Sequence, residues 1–236
     1  MSLRSDIETL FTKHVSELTE CADFQALESG QASPEDYTRF IENVVRSHLR
    51  SPQLLAFLFA LAPPDVAGSL QHNMLEELGI EEDSGIAHPS LLKQLAIGAG
   101  LTERLPELEV LAAADISQLV VDPLLYGTLK EVGLAAFCEI TAFEFMLSRV
   151  AGRIARVLAA HHGLGPAPLE WFTYHSEVDI QHAEQGLDNL VSYIRYYEFS
   201  EEDALTILEM TLRENVFIKR YFGELSRARP VTEVES

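Results

Sequence analysis

Between residues 134 and 161 apolar side chains recur at helical spacing with no proline to interrupt them, and this stretch constrains the fold more than any other. Its inward stripe reads Phe137, Ile140, Thr141, Leu147, Ala151, Ile154 and Leu158, with Glu144 inside it. Helical periodicity continues through almost every other segment, and no run alternates as a strand would. The chain is therefore read as all-α. Its 236 residues, 47% of them apolar, suffice for one well-buried core. With no linker, repeat or low-complexity segment, residues 1–236 are read as a single domain, with 230–236 a loose tail.

The remaining helices are delimited by their caps. A first helix is expected over 6–27. Ser33-Pro34-Glu35-Asp36 opens the next with a capping hydroxyl, a proline in the first turn and acids at the positive end of the dipole. Ser51-Pro52 starts another, and Pro63-Pro64-Asp65 punctuates before a helix ending at Leu78 with Gly79 as its cap. Residues 80–87 read as an acidic loop in which Glu81, Glu82 and Asp83 form a solvated charge run. His88-Pro89 begins a helix that ends near 98–100, and 106–126 reads as helical with an interruption at Pro123. Residues 169–226 read as helices meeting near Ser200.

Composition removes several function classes. Asp and Glu number 37 against 17 Lys and Arg, a formal net charge of -20 that would repel a phosphate backbone and argues against a nucleic-acid partner. The two cysteines, Cys21 and Cys138, have no metal-type spacing and support no disulfide framework. The beginning of the chain lacks the apolar core of a signal peptide, and the apolar runs are too short to span a bilayer. The expectation is a cytoplasmic protein with no membrane partner; the apolar content is compatible with a homodimer.

The chemistry concentrates in Tyr174-His175-Ser176-Glu177-Val178-Asp179-Ile180-Gln181-His182. His175, Asp179 and His182 stand at i, i+4 and i+7, on one face at roughly 100° per residue. That face continues through Trp171, Phe172, Gly186, Leu190 and Tyr193, so the polar trio points into the core, where it needs a partner. The bland alternative is a surface helix with chance histidines. Upstream, Val66, Leu70 and Met74 form a stripe that places Glu77 inward, whereas Asp65, Ser69, His72 and Glu76 form a separate polar stripe. Glu144 is an acid within the most apolar helix, and Glu139 is about 140° away from it on the wheel. Glu144 otherwise reads as half of a buried ion pair with an arginine, and Glu77 as a helix-end acid turned to solvent. His88 at its helix start is weak alone and gains weight beside the others. Three carboxylates and three imidazoles converging inside a bundle suit iron or manganese better than zinc or a cluster.

These residues resemble the heme-oxygenase-like di-iron oxidases. The resemblance rests on Asn73-Met74-Leu75-Glu76-Glu77-Leu78-Gly79, His88-Pro89-Ser90-Leu91, Gly98-Ala99-Gly100-Leu101, Glu144 followed by Ser148-Arg149-Val150-Ala151, and His175-x3-Asp179-x2-His182. It spans roughly residues 35 to 195. The family includes a chlamydial para-aminobenzoate-forming enzyme, fatty-acid decarboxylases, amine N-oxygenases and amino-acid fragmenting lyases, and it shares its fold with the TenA/PqqC-like proteins. The resemblance implies a seven-helix bundle and an O2-activating pair of iron ions held by Glu77, His88, Glu144, His175, Asp179 and His182. This chain departs from the chlamydial member in a longer loop between Glu77 and His88. Ile154 also stands where that member carries a lysine in its chemistry, which argues against para-aminobenzoate formation.

The expected reaction is O2-dependent oxidation of a small carboxylate-bearing substrate, an amino acid or a fatty acid. Phe137, Ile140, Leu147 and Trp171 are the candidate apolar walls, and Arg46, His48, Lys93 and Arg149 the candidate carboxylate holders. Three other readings compete. A cofactor-free thiaminase-II-like hydrolase would use Cys138, which lies off the face of Glu144 and reads as a packing residue. A heme protein would need His14 as its axial ligand and would leave the three interior acids unexplained. An acidic helical interaction protein would bind no metal and consume no O2.

Overall fold

A computed structural model describes residues 2–81, 85–215 and 217–223 of the chain; among them every regular element is helical and no strand occurs. The expected loose tail, Glu82, Asp83 and the end of the last expected helix at Ser226 lie outside the described residues.

The first expected helix is two. Helix α1 (Leu3–Glu20) ends where Cys21 turns extended, and α2 (Ala22–Glu28) begins with the Cys21 sulfur accepting from the Phe24 amide at 3.4 Å. A thiol acting as a cap leaves no Ser, Asp or Pro to read in the sequence. Helix α3 (Pro34–His48) opens on the expected Ser33, in a reciprocal capping box with Asp36. Helices α4 (Ser51–Leu61) and α5 (Ala67–Glu77) follow, and α5 stops in a left-handed turn at Gly79 whose φ of 70° favours glycine. Helix α6 (His88–Gly98) starts on the expected His88-Pro89, and α7 (Leu105–Ile116) runs into a π turn, Ser117–Val121, and a 3-10 turn, Asp122–Leu125.

Helix α8 (Leu129–His162) starts earlier than its apolar stripe, on a Thr128–Glu131 capping box, and ends at left-handed Gly163. Helix α9 (Glu170–Tyr196) packs along it; α4 and α10 (Glu201–Asn215) cover its other sides. Helices α6, α7 and α11 (Ile218–Phe222) pack on α3, and α1 lies on α9 and α10. Close approach of α8 and α9 depends on two glycines. A Cβ at Gly133 would lie 2.1 Å from the Tyr193 hydroxyl, and one at Gly186 2.6 Å from Thr141 Cγ2. No described helix is long and apolar enough to cross a membrane.

The core is polar in a few places. Glu139 is buried and accepts from Arg220 at 2.8 Å, so the interior acid–arginine pair of α8 belongs to Glu139 rather than Glu144. His48 is enclosed by Phe143, Trp171 and Tyr221, with its Nε2 2.8 Å from the Tyr221 hydroxyl. Burial, with nearby His175 and Arg220, lowers its pKa from 6.5 to about 3. The unfolded chain therefore takes up a proton near pH 6.5 that the folded chain refuses until about pH 3. His48 thus favours folding fully above pH 6.5, and that contribution is lost as the pH falls below it, at about 1.4 kcal/mol per pH unit. Urea unfolding at about pH 7 and about pH 5.5 should show a loss that is about 1 kcal/mol larger for the wild type than for His48→Phe. Equal losses would show that His48 does not titrate differently in the folded and unfolded chains.

Candidate metal centre

The ends of two helices and the inner faces of two long ones bring polar side chains into the core. Glu77 ends α5, His88 starts α6, Glu144 sits midway along α8, and His175, Asp179 and His182 lie along one face of α9. Glu77, Glu144, His88, His175 and Asp179 are each at most 9% exposed.

Glu77, His88 and His175 offer ligand atoms that all lie within 4.8 Å of one another. Glu77 Oε1 is 2.9 Å from His88 Nδ1 and 4.0 Å from His175 Nε2, and its other oxygen accepts from the Ser51 hydroxyl at 2.5 Å. Burial would raise the Glu77 pKa, but the two imidazoles outweigh it and hold the carboxyl well below its usual range. His175 Nδ1–H donates to the Trp171 carbonyl one turn earlier, at 2.7 Å. That bond fixes the tautomer and leaves Nε2 as a lone-pair donor facing Glu77, the arrangement a metal-binding histidine requires.

The other three residues adjoin one another, and Glu144 also feels the charge of Glu77. Asp179 Oδ1 is 3.5 Å from His182 Nδ1, and Asp179 Oδ2 is buried with no hydrogen-bond partner. Glu144 Oε1 accepts from the Asn73 amide at 2.6 Å. Burial, reinforced by the charges of Asp179 and Glu77 and opposed by His182 and Asn73, raises the Glu144 pKa to about 7. For His182 the desolvation penalty is outweighed by Asp179 and Glu76, and its pKa rises to about 11. These shifts describe an acid-rich interior in which the carboxylates crowd one another and favour the charged form of His182. An orphaned buried carboxylate oxygen, hard oxygen and imidazole donors and this excess of negative charge all fit divalent iron.

The residues suggested by sequence as carboxylate holders lie elsewhere or have other work. Arg46 makes a bidentate pair with Asp115 at 2.6 Å. Arg149 lies over the Phe145 ring and donates to the Phe145 carbonyl, and Lys93 pairs with Glu109. His48 is a neighbour of Trp171 within the core. Of the candidate walls, Phe137 and Ile140 line a narrow cavity beside Glu144 and His182. Trp171 lies against the His175 ring, with centroids 4.4 Å apart, and Leu147 is buried. The same cavity is lined by Ser69, Asn73, Thr141 and Asn189, and the Thr141 hydroxyl is buried without a partner.

Glu76 is less buried than Glu77, as its phase predicts, but its side chain has a partner that phase does not reveal. Its helical phase assigns it to a polar stripe apart from Glu77, yet its carboxylate accepts from His182 Nε2 at 2.8 Å. Wheel angles locate Cβ atoms, and a glutamate at the edge of a stripe reaches around the helix. Ser69 of that stripe likewise accepts from Asn189 of α9 at 2.9 Å, so the stripe faces a neighbouring helix.

The competing sites are less favourable. Cys138 is fully buried with its thiol directed at the Leu208 carbonyl, and burial pushes its pKa well above the usual thiol value. His14 is paired with Glu17 on α1, and burial lowers its pKa.

No curated protein matches the sequence, so the family comparison rests on a sequence model of the family. The model describing an iron-containing redox enzyme matches residues 38–213, which include α4 to α9 in full and all six candidate ligands. With most of its length matched and its all-helical bundle in agreement, the chain belongs to this heme-oxygenase-like family of iron-containing redox enzymes.

Proposed function

We propose that this protein is a non-heme di-iron, O2-dependent oxidase acting on a small carboxylate-bearing substrate, an amino acid or a fatty acid. The observation that carries the reading is the buried Glu77–His88–His175 cluster with the unpartnered Asp179 oxygen and Glu144 beside it. Glu77, His88 and His175 would hold one iron, Asp179 and His182 the other, and Glu144 would complete the ligand set. Bound iron(II) supplies electrons and open coordination positions for O2.

The chain's own residues prepare that chemistry. The Trp171 carbonyl presents His175 Nε2, and the Ser51 hydroxyl steadies the Glu77 carboxylate. Phe137, Ile140 and Trp171 limit water. Asn73 holds Glu144 in place through its amide. Because Arg46 and Arg149 are engaged elsewhere, a substrate carboxylate has the metals as its natural partner rather than an arginine. Manganese suits the same donors, and iron is preferred on the family match. The test is anaerobic iron(II) loading with metal analysis, followed by O2 mixing with a panel of amino acids and fatty acids. Metal-free hydrolysis of a thiamine fragment that is lost in Cys138→Ser would favour the hydrolase instead.

A further inference from the structure

Resting on the two-metal reading, we infer that Glu76, which is not among the six ligands, is the positioning residue of the second metal: it aims the His182 ring so that Nδ1 faces Asp179 and the shared interior. A ligating imidazole needs one nitrogen free for the metal and the other held by an acceptor, and it takes its orientation from that acceptor. His175 has the Trp171 carbonyl for this purpose. The corresponding carbonyl for His182, one turn earlier, is not its partner; His182 Nε2–H donates to Glu76 Oε2 at 2.8 Å. The nitrogen left over, Nδ1, is the one 3.5 Å from Asp179 Oδ1. Asp179 and His182, three residues apart on α9, thereby offer an oxygen and a nitrogen to the same point.

Glu76 is itself anchored. Its other oxygen, Oε1, lies 3.5 Å from His72 Nε2, and His72 Nδ1 lies 2.5 Å from Glu81 Oε2 beyond the turn at Gly79. The chain Glu81–His72–Glu76–His182 runs from a half-exposed surface to the buried centre and ties the α5 carboxyl terminus to α9. Adjacent glutamates would then divide the work: Glu77 holds one metal directly, and Glu76 holds the ring that holds the other.

The test is a titration with cobalt(II) alone, read by its visible absorption bands, with circular dichroism to verify the fold. The wild type should take about two equivalents. Glu76→Ala should bind the second equivalent 10- to 100-fold more weakly and leave the first nearly unchanged, in the range expected when a histidine loses its outer acceptor. Glu76→Gln retains an acceptor oxygen and should restore most of the loss and the wild-type spectrum. Wild-type affinity in Glu76→Ala, beside a wild type that binds both metals, would overturn the positioning role alone. A Glu76→Gln variant as weak as Glu76→Ala would overturn it too, in favour of a requirement for the carboxylate charge. A wild type that binds fewer than two metals would overturn the two-metal reading and this inference together.

Discussion

Glu77→Ala is expected to weaken the first iron equivalent by more than about 100-fold, beyond the range for losing an outer hydrogen-bond partner. Glu77 is the carboxylate of the tightest cluster in the core: His88 and His175 face one of its oxygens, and Ser51 donates to the other. Alanine removes the charge that offsets a cation and the oxygen that both imidazoles share as a neighbour. It also strands the Ser51 hydroxyl, at a cost of about 1–3 kcal/mol if no water replaces the carboxylate. The helical circular-dichroism spectrum should survive, because Glu77 ends α5 and supports no core packing of its own. Anaerobic iron(II) titration of the variant checks this, and affinity within about threefold of wild type would show that the cluster is not a ligand set.

Trp171→Ala is the second large effect, and it acts through packing. Trp171 is 2% exposed and meets Phe172, His48 and His175 with ring centroids 4.4 to 5.0 Å apart. Truncating so large a buried side chain leaves a cavity that α9 cannot close while it remains packed along α8, so a loss of about 3–5 kcal/mol is expected. The backbone carbonyl that receives the His175 Nδ1 proton remains. Metal affinity at saturating helical content should therefore fall far less than in Glu77→Ala. Urea denaturation measures the first quantity and iron titration the second; a stability loss below about 1 kcal/mol would mean that Trp171 does not anchor α9 in the core.

The long helices were legible because their apolar period is unbroken. The α8 stripe with Glu144 inside it, and the spacing of His175, Asp179 and His182 on α9, are properties of the sequence that folding does not alter. The start of α2 was not legible, since Cys21 caps it with sulfur in place of the usual hydroxyl or carboxylate. The π turn at Ser117–Val121 was likewise hidden behind residues that suit an ordinary helix. Arginine partners were unreadable for a different reason: Asp115 meets Arg46 from a helix far along the chain, and only tertiary packing decides that an arginine is already engaged. Glu76 shows the same limit at short range. Its position on the wheel was right for Cβ and uninformative about where a three-carbon side chain ends, so its bond to His182 emerges only when α5 and α9 are set side by side.

The direct measurement of the central claim is the iron content of the full chain after anaerobic iron(II) loading and removal of excess metal, followed by an O2 pulse. About two irons per folded chain are expected, with rapid O2 uptake that depends on them. A folded, fully helical protein that retains no transition metal after loading and consumes no O2 would contradict that claim.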